Sequence, residues 1–166
     1  MKGSFHIKKL LSFDQASIKT GYAYFEDGNL KKFGVLKVNG NDSTEQRVYD
    51  MSLLIKECIE KYDPDKIVIE DVQNQCNVAI VKMLARLQGI IIGICFNRGI
   101  SCKIMVPAEW RKVLNFTQGK TKRAELKRQS IEFVLSHYNS ALQNRIITDD
   151  ESDAVCIGCA FLKKFT

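Results

Sequence analysis

The strongest constraint on the fold is a rhythm in the second half of the chain, where short apolar runs alternate with longer segments of helical period. Ser43 to Tyr62 places Val48, Met51, Leu54, Ile55, Cys58 and Ile59 at the three- and four-residue spacing of an amphipathic helix. Asp63-Pro64-Asp65 stops it. Lys66-Ile67-Val68-Ile69-Glu70 reads as a short buried strand that ends on an acid, and Val78 to Asn97 as a long helix. Ser101 to Val106 is a further strand, and Pro107-Ala108-Glu109-Trp110-Arg111 opens another helix. Two more helices are predicted, over Lys122 to Tyr138 and Asp149 to Lys164. Such an alternation builds an α/β sheet whose parallel strands carry sites at their carboxyl ends.

The first third reads differently. Phe5 to Phe13 is a strand, Asp14 to Gly21 a turn, Tyr22 to Phe25 a strand and Leu30 to Val38 another, with Asp27-Gly28-Asn29 as the hairpin signal between the last two. An antiparallel meander joined to the alternating half predicts an α/β fold with a mixed five-stranded sheet flanked by helices. No internal repeat or linker interrupts the chain, which holds only two prolines, so residues 1–166 are expected to form one domain.

The formal charge is +6, from 25 Lys and Arg against 19 Asp and Glu, which favours polyanionic partners. The excess is concentrated between Lys120 and Arg128, where five cations face one anion. The amino-terminal MKGSFHIKKLLSF lacks the apolar core of a secretion signal, and the apolar run Gly89 to Phe96 falls short of the roughly 20 residues of a membrane span. An intracellular protein without membrane contact is expected. The Cys156-x-x-Cys159 pair lies within a helical pattern, far from both histidines, and is read as reduced thiols rather than a zinc site. The helix over 78–97 is apolar on nearly every face, more than one sheet can cover, which predicts a homodimer through it, with burial inside the monomer as the alternative.

Four carboxylates stand where stability alone would not put them. Glu70 ends an apolar strand, and Asp14 follows the apolar run Leu10 to Phe13. Each alone reads better as a solvated strand end, which is common. Thr148 with Glu151 fits a capping box, so the last helix begins there, and Asp149 and Asp150 suit its positive end. Asp153 has no such excuse. It shares a helix face with Asp150, Ala154, Ile157, Gly158 and Phe161, the face that should be buried, and buried charge persists only when paired or metal-bound. An all-oxygen set of Asp14, Glu70, Asp150 and Asp153 suits Mg²⁺, with Mn²⁺ as a substitute, and two such ions can drive phosphodiester hydrolysis. Other motifs fail: the P-loop-like Gly119-Lys120-Thr121 lacks its first glycine at Leu114, and a calcium loop would need glycine at Ala154.

The phrases SFDQASIKTGYA, KIVIEDVQNQ, MLARLQGIIIGI, VPAEWRKVLNF with GKTKRAELKR, and TDDESDAVCIGCA resemble, in that order, the RuvC-type Holliday junction resolvases, and look most like the bacteriophage branch. The resemblance spans nearly the whole chain. It implies a ribonuclease-H-like fold and a homodimeric, Mg²⁺-dependent endonuclease that cuts four-way junctions. Asp14, Glu70, Asp150 and Asp153 take the ligand positions. A basic residue that assists at the phosphate is implied among Lys120, Lys122, Arg123 and Lys127, with Lys127 the first choice; Gln73, Asn74, Gln75 and Arg111 join these as implied DNA contacts. Two departures stand out. Gln15-Ala16 replaces the usual Pro-Gly, and Asp71-Val72-Gln73-Asn74-Gln75 lacks the aromatic residue that stacks at the junction centre. Forks and flaps are therefore expected substrates alongside four-way junctions. Two other readings stay open, a junction-binding module that does not cut and a nuclease of structured RNA.

Overall fold

Strand and helix boundaries follow local chemistry closely. The structure, a computed structural model, describes residues 7–73, 77–117, 122–143 and 145–165. Its strands are β1 (Lys9–Asp14), β2 (Lys19–Glu26), β3 (Asn29–Lys37), β4 (Lys66–Glu70) and β5 (Ser101–Met105). The helices are α1 (Thr44–Tyr62), α2 (Val78–Asn97), α3 (Pro107–Val113), α4 (Arg123–Leu142) and α5 (Asp149–Phe165). The sheet runs β3-β2-β1-β4-β5, antiparallel across β3, β2 and β1 and parallel across β1, β4 and β5. This is the ribonuclease-H-like mixed five-stranded sheet.

The termini of these elements explain themselves. Ser43 caps α1 by accepting a hydrogen bond from the Gln46 amide, and Asp63 ends it in the left-handed region. Asp27 and Gly28 both have positive φ, the requirement of a tight hairpin whose twist matches its strands. In the capping box of α5 the Thr148 amide donates to Glu151, and the Glu151 amide donates to the Thr148 hydroxyl. Glu151 is only 3 % exposed; it also accepts from Arg145 at 2.7 Å, so its burial is compensated.

Four expectations need correction. The first strand begins at Lys9 rather than Phe5, because its pairing with β2 ends at Lys9↔Glu26, where the hairpin turns away; Phe5 itself lies outside the described residues. It also runs on to Asp14, which pairs with Gly21, so the predicted turn from 14 to 21 shrinks and β2 starts at Lys19. Helix α4 passes Tyr138, which keeps a non-helical backbone inside it, and ends at Leu142. Helix α2, finally, is long and apolar enough to cross a membrane by length and composition. Counting only the unbroken run from Gly89 missed this, since Lys82 and Arg86 interrupt the apolar sequence without ending its helix.

Two apolar layers sandwich the sheet. One holds Leu11, Phe13, Ile67 and Ile69 against Met51, Ile55, Leu87 and Ile91 of α1 and α2. The other holds Leu10, Ala23, Phe25 and Val68 against Trp110, Val134 and the buried stripe Ala154, Ile157 and Phe161 of α5. Fully burying each of these large side chains contributes roughly 1.5–3 kcal/mol. Helix α5 lies so close to the sheet that a side chain at Gly158 would strike Phe25 at 2.3 Å, and one at Gly21 would strike the Asp150 carbonyl oxygen at 1.9 Å.

Candidate active site

Strand parity decides which way the first two acids point. Successive side chains on a strand alternate between faces. In β1, Leu10 belongs to the α5-side layer and Leu11 to the other, so Ser12 and Asp14 return to the α5 side. Ser12 confirms the count by donating to the Ala154 carbonyl of α5 at 2.7 Å. In β4, Ile67 and Ile69 face α1 and α2 while Val68 faces α5, which sends Glu70 to the α5 side as well. Both acids sit at the carboxyl ends of adjacent parallel strands.

Helix α5 brings the other two. Its first turns cross the end of β2 at Gly21, which seats Asp150 and Asp153 over the same edge of the sheet. All four acids line one cavity of about 500 Å³, together with Asp149, Gln73, Pro107, Ala108, Arg111, Thr117, Arg123, Leu126 and Lys127.

Each acid has a distinct neighbourhood. Glu70 Oε1 accepts a hydrogen bond from the fully buried Trp110 indole at 2.8 Å. The Glu70 carbonyl faces two amides, Gln15 at 3.4 Å and Gln88 at 3.5 Å. The Ser130 hydroxyl of α4 lies close enough to Asp153 to favour its ionised form. Arg111 lies 4.8 Å over the Trp110 ring, and its charge stabilises both Glu70 and Asp153. Lys127 forms an ion pair with Asp149.

The electrostatics are those of negative charge in excess. Burial, followed by the charges of Glu70, Asp153, Asp150 and Asp149, pushes the Asp14 carboxyl well above the usual range. Burial also raises Asp153, to about 6 against the opposing pull of Ser130, Arg111 and Lys127. Glu70 is raised by burial, in part offset by Trp110 and Arg111, and Asp150 by burial and the neighbouring Asp149. Asp149 alone is lowered, by Lys127.

The cavity thus collects Asp14, Glu70, Asp150, Asp153, Lys127, Arg111, Arg123 and Gln73 from the residues singled out in the sequence. Lys122 does not line it; it is exposed at the start of α4. Asn74, Gln75 and Lys120 lie outside the described residues. Sequence reasoning missed Trp110, Ser130 and Asp149 as site residues. Asp149 was visible only as a favourable charge at a helix start, and no pattern within the chain announces which partner Trp110 finds. Lys19, whose charge favours the ionised form of Asp150, was also missed.

Among the described residues, no group of three or more His, Cys, Asp or Glu side chains is placed to hold an ion as it stands. The fit to a divalent cation lies in donor chemistry instead. The set is oxygen-only, anionic and gathered in one cavity, as hard Mg²⁺ or Mn²⁺ requires. Burial first, and the neighbouring acids after it, raise Asp14 and Asp153, which a bound cation would offset.

Known proteins share the architecture that carries this site. Thermus thermophilus RuvC in complex with a Holliday junction substrate superposes with a TM-score of 0.75 over 93 % of this chain and 92 % of that one, at 13 % identity. The yeast mitochondrial Holliday junction resolvase superposes with a TM-score of 0.66, covering 98 % and 80 % at 14 % identity. In sequence, the crossover junction endodeoxyribonuclease RuvC of Pseudarthrobacter chlorophenolicus is 28 % identical over 57 % of this chain and 49 % of its own length. That of Prosthecochloris aestuarii is 22 % identical over 89 % and 78 %. The match thus spans about half the length of the Pseudarthrobacter relative and most of the Prosthecochloris one. The sequence profile of crossover junction endodeoxyribonuclease RuvC matches residues 10–161, a span that takes in both strand-end acids and the whole acidic stripe of α5, and the chain belongs to that family.

Proposed function

We propose that this chain is a divalent-metal-dependent endonuclease of branched DNA, cutting four-way junctions and, with less selectivity, forks and flaps. The observation that carries the reading is the cavity in which Asp14, Glu70, Asp150 and Asp153 from three different elements meet beside Arg111, Arg123 and Lys127. Acids of this kind serve as ion ligands, and the cations beside them suit a phosphodiester.

The four carboxylates would hold Mg²⁺, or Mn²⁺ in its place. A pair of such ions supplies neutralisation of the phosphate charge and an activated water for in-line displacement. The protein's own groups do the rest. Trp110 fixes the Glu70 carboxylate, and Ser130 and Arg111 orient and stabilise Asp153. Arg111, anchored on the Trp110 ring, presents a permanent positive charge beside these acids and joins Lys127 as a candidate to contact the scissile phosphate. Gln73 and Arg123 extend the contact surface along the strand, and the exposed Lys122 adds charge beside it. Asn74, Gln75 and Lys120 belong to the same proposed surface on sequence grounds.

The reading includes a homodimer, because two opposed strands of a junction need two active sites. Helix α2 supports it: Phe96 is 85 % and Val78 63 % exposed, and with Ile92 they lie on the side opposite the buried Met83, Leu87 and Ile91. An apolar surface of that length needs a partner, and the protein is taken to act inside the cell, as a single nuclease domain over residues 1–166 in each subunit.

The deciding experiment is nicking of a synthetic four-way junction by the purified chain in Mg²⁺ or Mn²⁺. Cleavage in the wild type, and its loss in Asp14→Asn with an unchanged circular dichroism spectrum, is the expected result. Binding without cutting in either metal, across junction, fork and flap substrates, would overturn the reading in favour of a binding module. Preferential cutting of an RNA junction would point to structured RNA instead.

A further inference from the structure

Five carboxylates line the cavity, yet the nuclease reading employs four. The fifth, Asp149, is engaged elsewhere: its Oδ2 accepts from the Lys127 ammonium, an ion pair joining the first turn of α5 to α4. Both side chains keep more than three-tenths of their surface exposed, 39 % for Lys127 and 33 % for Asp149. Lys127 lines the same cavity as Asp150 and Asp153.

A lysine is a point charge on a flexible four-carbon stem, and it settles where the potential is most negative. In this cavity that place lies among Asp14, Glu70, Asp150 and Asp153, the space a divalent ion would need. An ammonium lodged there competes with the ion and is withdrawn from substrate. Asp149 offers a carboxylate partner outside the ligand set, and its Oδ2 already holds the Lys127 ammonium. Resting on the nuclease reading, we propose that Asp149 is a positioning residue, which keeps the Lys127 ammonium off the ion's ligands and available to the phosphate of a bound strand.

The test is a double-mutant cycle on the full chain, read first by calorimetric Mn²⁺ binding without DNA and then by single-turnover junction cleavage at saturating Mn²⁺. Asp149→Asn should weaken Mn²⁺ binding by roughly 10-fold, the scale on which groups around a metal site act. Lys127→Ala in that background should restore it to within about twofold of the wild type, since the competitor is gone. Lys127→Ala alone should leave Mn²⁺ binding unchanged or tighter. Each single variant should slow cleavage, the pair no more than either alone, and Asp149→Glu should recover most of the loss. If the double variant binds Mn²⁺ as poorly as Asp149→Asn, then Asp149 is a ligand and the proposal falls. Wild-type affinity in Asp149→Asn would mark the ion pair as idle and overturn it too. A wild type that binds Mn²⁺ but cuts no branched DNA would defeat the nuclease reading alone, leaving the binding cycle to decide the position of Lys127. A wild type that binds no Mn²⁺ defeats both.

Discussion

The two faces of the sheet are made from the same strands and have opposite chemistry. Toward α1 and α2, β1 and β4 present Leu11, Phe13, Ile67 and Ile69, and the layer stays apolar to the ends of the strands. Toward α5, the same strands present Leu10, Ser12 and Val68, then finish on Asp14 and Glu70. One face spends its whole length on cohesion, and the other gives up its last position to charge. A slip of one residue in either strand would exchange the two roles, because side chains alternate with period two. Where charge is concentrated, cohesion must come from elsewhere, and here it comes from the dry layer and from the buried stripe of α5.

That contrast can be broken most sharply from the acidic side. Asp153→Asn should reduce junction cleavage on the order of 10³-fold, comparable with removing a preorganised charge-stabilising group, while the melting temperature holds or rises. A comparable loss of cleavage from a conservative change in the apolar layer, such as Ile55→Val, would erase the distinction. Trp110→Phe removes the donor to Glu70 Oε1 and leaves an aromatic ring in place; Mn²⁺ affinity and cleavage should both fall about 10–100-fold. On the opposite face, Phe96→Glu should shift the sedimenting species from dimer to monomer and make the remaining cleavage depend on protein concentration. An unchanged dimer would move the subunit interface off α2.

The smallest effect separates the faces by pH. Asp14 and Asp153 have folded-state affinities for protons above those of the unfolded chain. Metal-free protein is therefore favoured at low pH by these two groups; the Asp153 share of that advantage is lost as pH rises through about 6, and the Asp14 share as pH rises through its own raised range. Mn²⁺ binding has the opposite sign and should strengthen over the same interval as protons leave. Asp14→Asn should thus raise the metal-free melting temperature at pH 7.5 by roughly 2–4 °C, as relief of about 1 kcal/mol does in a domain of this size. A lower melting temperature in that variant would show that Asp14 is structurally compensated.

Most of the frame was legible in the chain, and the reason is that its signals are local. Lys66–Glu70 declared itself a strand by three consecutive apolar residues between two helical patterns, and the Thr148–Glu151 box declared the start of α5. Those two facts placed Glu70, Asp150 and Asp153. Contacts that depend on how helices cross were hidden. The Lys127–Asp149 pair needs α4 laid beside α5, and the Trp110–Glu70 hydrogen bond needs α3 folded back under the end of β4. The family likeness led to the expectation of Arg111 as a DNA contact, whereas its influence on Glu70 and Asp153 appears only in three dimensions. The length of the apolar helix α2 was underestimated for a different reason: two charged residues broke the sequence run but not the helix.

Gly21 carries a consequence for anyone who screens this protein by random substitution. It has no functional group, and it belongs to a strand that supplies none of the acids. Yet one added methyl would land on the Asp150 carbonyl and force the amino end of α5 off the sheet edge. Inactive clones should accordingly map to position 21 as readily as to the carboxylates themselves, and a mutational map read without the coordinates would credit an inert hydrogen atom with chemistry.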